Sequence, residues 1–237
     1  MGHQTLSRKI REYVAPLGVQ REAHRRANAN RPAAVFLWIP RTAGTSALES
    51  LGAAGCGKFK TLRSVRFEFS QSGLATFGHQ AYHQLVEVGA ISREYDRAAW
   101  KFTFVRNPWD RAVSLYALLR RRSMINESDT FEDFARSLTE KGVGPIGLHN
   151  AKELSWLNPQ VDWLCVPGQG IQADFVGRFE SLAQDFATVC KKLGIETSLG
   201  HLNAAPHAHY RDVFTPESRK HVEQFYAEDI ETFGYSF

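Results

Sequence analysis

Apolar positions along the chain follow two spacings, one typical of buried strands and the other of amphipathic helices. Residues 33–39 form an unbroken apolar run, rich in β-branched and aromatic side chains, that ends at Pro40. Such a run predicts a strand that is buried on both faces, as in parallel sheets. Residues 45–54 then have apolar positions at helical spacing and stop before Gly55, a residue that suits a helix end. The predicted order is strand, polar loop, helix.

The same order recurs further along the chain. Residues 100–105 predict a second buried strand, and Asn107 and Pro108 suit the N-cap and first position of a helix that runs to about residue 122. Residues 175–179 predict another strand, followed by an amphipathic helix over 182–193 that ends at Gly194. These units predict a single α/β domain in which helices flank a parallel sheet.

Other segments have weaker patterns. Residues 58–72 favour an edge hairpin, 76–79 a short strand, and 81–88 a helix. A short helix is expected around 131–138, a Gly-rich surface loop over 141–150, and one amphipathic helix over 216–233. Because no repeat and no Pro-, Gly- or Ser-rich linker divides the 237 residues, one domain is predicted.

Composition excludes several classes of protein. With 43% hydrophobic and 23% charged residues, the chain is neither disordered, collagen-like nor a coiled coil. Its longest apolar run, over 33–40, is far shorter than the roughly 20 residues of a transmembrane helix. Three separated cysteines, Cys56, Cys165 and Cys190, favour free thiols in a reducing compartment over a disulfide.

The positive net charge is concentrated at the N-terminus. Residues 1–34 hold seven Lys and Arg against two Glu, whereas the remaining chain is close to neutral. We therefore interpret residues 1–32 as a basic arm, helical or flexible, and residues 33–237 as the folded domain. The arm has neither the apolar core nor the cleavage site of a secretory signal, which predicts a cytoplasmic location.

The loop between the first predicted strand and helix suits an anion. Ala43 and Gly44 allow close approach of the backbone, Thr45 and Ser46 supply hydroxyls, and Arg41 supplies a positive charge. The helix N-terminus adds free N–H groups, which favour phosphate or sulfate. The loop lacks the Walker A pattern, and an ordinary strand–helix connection is an equally good interpretation of this segment alone.

A second anion site is predicted after the strand over 100–105. Arg106 follows that strand, and Ser114 lies about two turns into the next helix, so both side chains reach the same sheet edge. A guanidinium with a hydroxyl suits a phosphate. The alternative is a structural Arg106 paired with Asp110. Two such sites on neighbouring strands predict a ligand that carries anionic groups at both ends.

These segments together resemble a known family. The loop IPRTAGTS resembles the 5′-phosphosulfate motif of sulfotransferases, and FVRNPWDRAVSLY resembles their 3′-phosphate motif, in the branch of heparan sulfate 2-O-sulfotransferase and other carbohydrate sulfotransferases. Residues 176–195 and the tail after residue 209 extend the similarity. The resemblance covers most of the chain from about residue 34 onward, which would make residues 33–237 the sulfotransferase domain.

The resemblance implies a P-loop NTPase-like fold that binds 3′-phosphoadenosine 5′-phosphosulfate (PAPS). The sulfuryl group would pass to a hydroxyl of a carbohydrate or glycolipid, leaving adenosine 3′,5′-bisphosphate (PAP), and this chemistry requires no metal. The family has Lys where this chain has Arg41, so a different grip on the leaving group is expected. The lack of an anchor separates the chain from Golgi relatives and favours a bacterial, cytoplasmic setting. The residues implied to hold the donor are Arg41, Thr42, Ala43, Gly44, Thr45, Ser46, Arg106 and Ser114.

Histidine is the expected general base, since its ordinary pKa lies near neutrality. The family places its catalytic His after a short strand between the two motifs, which implies His79, with Arg41 as the second catalytic residue. His83 follows by four residues and is a candidate for acceptor binding. The alternative for both histidines is a structural role. His201, His207 and His209 lack the spacing of a metal site and favour a loop near the acceptor or nucleotide.

Four further residues are weaker candidates. Arg178 follows a predicted strand and is expected to touch the nucleotide, although pairing with Glu180 is an equal alternative. Tyr210 opens the C-terminal segment and is expected to close over the donor. Trp156 and Trp163 are candidates for an aromatic platform under a sugar ring, with core packing as the alternative for at least one.

Two other functions remain open at this point. A P-loop nucleotide kinase shares this sheet edge, but the chain shows neither a Walker Lys nor an acidic Mg²⁺ ligand at matching spacing. A non-enzymatic module would bind nucleic acid or another polyanion through the basic arm, with affinity that falls as salt rises. The expected partner is a hydroxyl-bearing acceptor rather than nucleic acid.

Overall fold

A computed structural model describes residues 31–142, 154–166, 168–199 and 209–237. Most of the predicted N-terminal arm, the Gly-rich loop from residue 143 onward, and both His201 and His207 lie outside the described residues. Within the described residues, no helix has the length and apolar character that crossing a bilayer requires.

Five parallel strands form the central sheet, in the order β2, β3, β1, β4, β7. Strand β1 (Ala34–Leu37) lies in the middle, between β3 (Leu74–Thr76) and β4 (Trp100–Val105). Strands β2 (Gly57–Lys58) and β7 (Phe175–Arg178) form the two edges. A separate antiparallel pair joins β5 (Cys165–Val166) to β6 (Gly170–Ile171).

Helices connect these strands and continue to the C-terminus. In chain order they are α1 (Gly44–Ala53), α2 (Leu62–Glu68), α3 (Tyr82–Glu87), α4 (Arg93–Ala98), α5 (Pro108–Arg121), α6 (Phe131–Lys141), α7 (Leu182–Leu193), α8 (Pro216–Phe225) and α9 (Ala227–Phe233). Single 3₁₀ turns cover Val161–Trp163, Phe179–Ser181 and Tyr210–Val213.

Both faces of the sheet are buried, because helices cover each of them. Strand β1 shows this directly, since Ala34 and Phe36 pack toward α1 and α7 whereas Val35 and Leu37 pack toward α2, α3 and α4. A third apolar cluster joins α5, α6 and α8 beside the sheet. The single α/β domain with a parallel sheet is thus confirmed.

The predicted strands and helices around the two motifs are confirmed with small shifts of boundary. Asn107 accepts hydrogen bonds from the N–H groups of Trp109 and Asp110, with Pro108 at the first helical position, as predicted. Gly194 ends α7 in the left-handed conformation, at φ 62°.

Two predicted elements are wrong. Residues 58–72 do not form a hairpin: β2 pairs in parallel with β3, and Thr61 then starts α2 through a capping box with Ser64. The stretch 216–233 is two helices, because the chain leaves helical geometry at Tyr226. Tyr226 is fully buried, and its hydroxyl donates to the carbonyl of Leu157. The short helix α4 and the β5–β6 pair were not predicted.

Candidate active site

The two predicted anion-binding segments meet where the connections of neighbouring strands diverge. The chain leaving β1 runs toward β2 at one edge of the sheet, whereas the chain leaving β4 runs toward β7 at the other edge. Such a divergence opens a crevice at the carboxyl ends of the strands, where open α/β sheets bind ligands. The loop 40–43 and residues 106–107 line this crevice.

The loop after β1 presents a helix N-terminus without a side-chain cap. Arg41 and Ala43 adopt left-handed backbone conformations, at φ 70° and 66°. Ala43 is the N-cap of α1 and cannot accept a hydrogen bond through its side chain, and the first turn holds no acidic residue. The first N–H groups of a helix lack intrahelical partners, so this end suits an anion.

The hydroxyl groups of the loop have different roles. Thr42 is fully buried, and its Oγ1 donates to the carbonyl of Ile39 at 3.1 Å, which stabilises the turn. Thr45 is exposed and Ser46 half-buried, so their side chains stand at the open end of α1. Of the predicted set, Thr42 thus stabilises the loop, and Thr45 and Ser46 lie in the first turn of α1 and are accessible to solvent.

Gly44 is required by its close contact with a neighbouring indole. A Cβ built on Gly44 would stand 1.8 Å from Nε1 of Trp38 and 2.0 Å from its Cδ1. No real Cβ approaches an atom this closely, so a side chain at residue 44 and the indole exclude each other. The indole of Trp38 therefore lies directly on the first residue of α1.

Arg41 joins the two motifs. Its Nε and Nη2 both donate to the Ser114 hydroxyl, at 2.9 and 2.7 Å. Ser114 lies on α5, so a residue of the first motif contacts a residue of the second. The structure thus brings the two predicted segments into contact.

Arg106 also contacts Arg41, through the Arg41 backbone carbonyl. Its Nε donates to Asp110 at 2.7 Å, and its Nη1 donates to the Arg41 carbonyl at 3.3 Å. The guanidinium also lies 4.1 Å from the centre of the Phe179 ring. The pairing with Asp110, considered as the alternative from sequence, is thus present, and it holds Arg106 in the crevice.

Positive charge accumulates around Arg41. The pKa of Arg41 is lowered to about 10, mainly by burial and then by the neighbouring charges of Arg106, Arg121, Arg122 and Arg111, in that order of effect. A cation whose pKa is lowered by neighbouring cations is stabilised by an anion placed beside it. This electrostatic arrangement suits a ligand with several negative charges.

Arg111 was not predicted as a site residue, but it holds the loop of Arg41 in place. It is fully buried; its Nε donates to the Pro40 carbonyl, and its Nη2 donates to the carbonyls of Trp156 and Asn158. The side chain thereby ties the loop of Arg41 to the 154–166 segment. Its position one turn before Ser114 was the available signal, since residues three apart share a helix face.

Gln160 and Asp229 hold the end of β4 in place. Gln160 exchanges two hydrogen bonds with the backbone of Arg106, accepting from its N–H at 2.8 Å and donating to its carbonyl at 2.9 Å. Asp229, on α9, accepts from the N–H groups of Gln160 and Val161 and from the Gln160 amide. The C-terminal helix is therefore linked to Arg106 through one buried side chain.

His79 stands beside the residues that lead into the loop after β1. Its Nδ1 lies 3.0 Å from the carbonyl oxygen of Trp38, and the two rings are 4.6 Å apart. Because a carbonyl only accepts, Nδ1 carries the proton, and Nε2 is the basic nitrogen of the neutral ring. His83 lies on α3 and lines a polar cleft of about 210 Å³ with Gln169 and Gln172.

The remaining candidates occupy different places. Arg178 does not pair with Glu180; it donates to the Phe233 carbonyl and lies 4.5 Å from the Tyr235 ring centre. Glu180 instead accepts from the Asn107 N–H and the Tyr235 hydroxyl. The Tyr210 hydroxyl is 3.5 Å from the Asn107 amide, next to the crevice.

The two tryptophans do not form a common platform. Trp156 is 8% exposed and packs with α5 and α6, whereas Trp163 is 4% exposed and packs on the sheet face that carries α3. Only Trp163 approaches His79, with ring centres 6.3 Å apart.

No group of three or more His, Cys, Asp or Glu side chains is placed to hold a metal among the residues whose positions are known. His209 caps the turn at Tyr210 by accepting from the Arg211 N–H. Cys56 and Cys190 are buried, and burial raises the pKa of the Cys56 thiol to about 12.

Comparison with known protein families matches residues 34–236, nearly the whole described chain, to one described as "Sulfotransferase family". The chain belongs to the sulfotransferase family. An uncharacterized protein of Archaeoglobus fulgidus is 28% identical over 114 residues, which are 47% of this chain and 82% of that protein.

A solved sulfotransferase structure has the same fold as this chain. Mouse sulfotransferase SULT7A1, solved in complex with PAP, superposes with a TM-score of 0.54 at 14% identity, over 89% of each chain. A sulfotransferase from Alicyclobacillus acidocaldarius gives a TM-score of 0.48 at 17% identity, over 86% of this chain and 94% of that one. The predicted P-loop NTPase-like fold of sulfotransferases is confirmed.

Proposed function

We propose that this member of the sulfotransferase family transfers the sulfuryl group of PAPS to a hydroxyl of a carbohydrate or glycolipid, and releases PAP. The observation that carries the proposal is the contact between Arg41 and Ser114, which unites an uncapped helix N-terminus with a cluster of arginines. A ligand with a phosphosulfate at one end and a phosphate at the other matches this arrangement.

The residues present fit the donor. The N–H groups at the start of α1, with Arg41, Thr45 and Ser46, would hold the 5′-phosphosulfate. Arg106 and Ser114 would hold the 3′-phosphate. The depressed pKa of Arg41 supports this assignment, because a bound anion would relieve the repulsion among the arginines.

PAPS supplies an activated sulfuryl group whose departure leaves negative charge on a phosphate oxygen. Arg41 would stabilise that charge, and its position on the loop beside the helix N-terminus supports this role. His79 would take the proton of the acceptor hydroxyl through Nε2, and the contact of Nδ1 with the Trp38 carbonyl supports this role. The main work of the protein is to position the reactants.

The acceptor assignment rests on sequence resemblance to carbohydrate sulfotransferases, including the heparan sulfate 2-O branch. His83 lines a polar cleft with Gln169, Gln172 and the charged side chains of Glu87, Arg93, Asp96 and Arg97, and His79 is not among the residues that line it. A role of His83 in acceptor binding therefore stays a prediction from the resemblance. Trp156 and Trp163 stay predicted contacts of the acceptor. Arg178 and Tyr210 stay predicted contacts of the donor.

A cytoplasmic location and a bacterial origin remain predictions.

Titration calorimetry tests the donor site. We expect PAP to bind without added metal, and Ser114→Ala to weaken its affinity by about tenfold through loss of a hydrogen bond to a charged group. Preference for ATP with Mg²⁺ would favour the kinase alternative. Binding of polyanions only, with a steep dependence on salt, would favour the non-enzymatic module.

Transfer of labelled sulfate from PAPS to a panel of sugars and glycolipids tests the reaction. We expect His79→Ala to lower kcat by about 100-fold or more, the usual contribution of a general base. His221→Ala is the matched control, because it also removes an imidazole, one that is hydrogen-bonded to Thr139 at the contact between α6 and α8. Unchanged transfer by His79→Ala would remove His79 from the mechanism.

A further inference from the structure

The indole N–H of Trp38 stands at the phosphosulfate end of the proposed site. Its Nε1 is the atom that lies closest to where a Gly44 side chain would begin, and Gly44 is the first residue of α1. Among the described residues this N–H has no hydrogen-bond partner. A donor that lies on a helix N-terminus adds to the backbone N–H groups there.

The position of the indole is fixed on several sides. Its ring stacks 6.4 Å from Phe36, and the ammonium of Lys58 lies 4.8 Å from its centre. The imidazole of His79 packs 4.6 Å away, and the Trp38 carbonyl binds its Nδ1. One residue thus contacts both the start of α1 and the proposed base.

We propose that Trp38 is a further donor-binding and positioning residue of the transfer site. Its indole N–H donates to an oxygen of the 5′-phosphosulfate group, beside the backbone N–H groups of α1. Its ring sets the separation between that group and the His79 imidazole. This inference rests on the proposed function, since it assigns a residue to the same donor site.

The separation set by the Trp38 ring matters because sulfuryl transfer depends on alignment of the attacking and leaving oxygens. A displacement of 1 Å lowers the rate of a well-aligned reaction by about 100-fold. The indole cannot move closer to Gly44, because it already fills the space that a single methyl group on residue 44 would need. Trp38 therefore acts on binding through its N–H and on alignment through its ring.

Nuclear magnetic resonance of the ¹⁵N-labelled protein tests the N–H contact directly. The five tryptophans give five indole signals, which single Trp→Phe replacements assign, including by elimination if Trp38→Phe does not fold. We expect PAP to move the Trp38 indole proton downfield together with the amides of Gly44, Thr45 and Ser46. Adenosine 3′-monophosphate, which lacks the 5′ group, should leave the Trp38 signal in place.

The outcomes separate this inference from the proposed function. If PAP moves the amides of α1 and leaves the Trp38 indole signal unmoved, the donor site stands and the role of Trp38 is overturned. If PAP at millimolar concentration moves neither, the proposed donor site fails and the inference fails with it.

Trp38→Phe provides a second measurement, because phenylalanine keeps a ring and loses the N–H. We expect its affinity for PAP to fall about tenfold, the loss of one hydrogen bond to a charged group, with the unfolding midpoint little changed. The matched control is Trp100→Phe at the opposite end of the sheet, where the indole stacks on Phe102. Equal affinity of Trp38→Phe and the control for PAP would overturn the inference.

Discussion

Arg41 donates two hydrogen bonds to one oxygen, and this fork distinguishes arginine from lysine. Nε and Nη2 lie 2.9 and 2.7 Å from the Ser114 hydroxyl, a geometry that a single ammonium cannot reproduce. The sulfotransferase pattern has Lys at this position. In this chain the planar guanidinium spans the two motifs, and it keeps its proton although burial and other arginines lower its pKa to about 10.

Arg41→Lys should make PAP binding sensitive to pH. The same burial and neighbouring charges would lower the pKa of the lysine from its ordinary value of about 10.4, which is already below that of arginine. The ammonium would lose its proton as pH rises, so affinity should fall between about pH 7 and about pH 9.5, whereas the wild-type affinity should fall much less over this range because the pKa of Arg41 is about 10.

Calorimetry at both pH values checks this prediction. Arg219→Lys is the control, because Arg219 is an exposed residue of α8 that pairs with Glu223. An Arg41→Lys profile parallel to that of the control would contradict the assigned role of the Arg41 environment.

Arg111 is the residue on which local stability depends most clearly. Replacing it with Met removes three hydrogen bonds and leaves the carbonyls of Pro40, Trp156 and Asn158 without this donor. We expect the free energy of unfolding to fall by about 3 kcal/mol or more, because each buried acceptor left without its donor costs about 1–3 kcal/mol. Urea denaturation of the wild type and of Arg111→Met measures this difference in the free energy of unfolding.

The exposed pair of Arg219 and Glu223 provides the comparison for Arg111. Arg219→Met should lower the free energy of unfolding by less than about 1 kcal/mol, because exposed ion pairs contribute little. Similar losses for the two variants would show that the contacts of Arg111 contribute no more than a surface pair.

At the scale of elements, helix α1 is one of four described helices, with α3, α7 and α9, that begin without a side-chain cap, and it is the one that begins at the crevice. Side chains of Thr61, Asn107, Thr130 and Thr215 cap α2, α5, α6 and α8, whereas Ala43 leaves the start of α1 uncapped. Missing caps cost helices about 1 kcal/mol. The proposed donor would supply the missing acceptors.

Gly44→Ala tests the start of α1. The new Cβ would lie 1.8 Å from the Trp38 indole, so the ring must move away from residue 44 and change its position relative to the loop and to His79. We expect at least a tenfold loss of PAP affinity and a shift of tryptophan fluorescence. Calorimetry and emission spectra give the two readouts.

Gly52→Ala is a matched control on the same helix. A Cβ at residue 52 meets no atom within 4 Å, so this variant should bind PAP normally and gain about 0.5–1 kcal/mol of stability. Normal PAP binding by Gly44→Ala would show that the loop tolerates displacement of the indole.

Sequence reasoning succeeded for elements with local signals. Asn107 and Pro108 mark the start of α5, and Gly194 marks the end of α7. It failed where tertiary contacts decide: β2 has two residues and exists through pairing with β3, and the break at Tyr226 follows from burial of that side chain against the Leu157 carbonyl. Helical periodicity continues through residue 226 and carries no sign of the break.

At the scale of the molecule, the C-terminal helix and the crevice form one unit. Asp229 on α9 accepts from Gln160 and Val161, and Gln160 holds the backbone of Arg106. Sequence reasoning selected Arg106 from its place after a strand but had no means to find this link. Asp229 and Gln160 are 69 residues apart, and their contact depends on the complete fold.

Asp229→Ala should therefore weaken PAP binding although Asp229 does not line the crevice. The change leaves the buried N–H groups of Gln160 and Val161 without their acceptor, which costs about 1–3 kcal/mol for each group. We expect a lower unfolding midpoint and several-fold weaker affinity, because Arg106 loses its support. Denaturation and calorimetry measure both.

Glu231→Ala, an exposed change on the same helix, controls for the removal of a carboxylate from α9. If Asp229→Ala lowered stability and left PAP affinity equal to that of Glu231→Ala, the C-terminal helix would stabilise the fold without supporting Arg106.

The edges of the sheet limit contact between molecules. Strand β2 offers two residues and β7 four, and charged side chains, Lys58 and Arg178, end both strands. Long uncharged edges serve as templates for intermolecular pairing, and short edges with charged residues oppose it. Concentrated samples should therefore resist growth of fibrils through this sheet, so that any aggregation on heating would begin from unfolded chains.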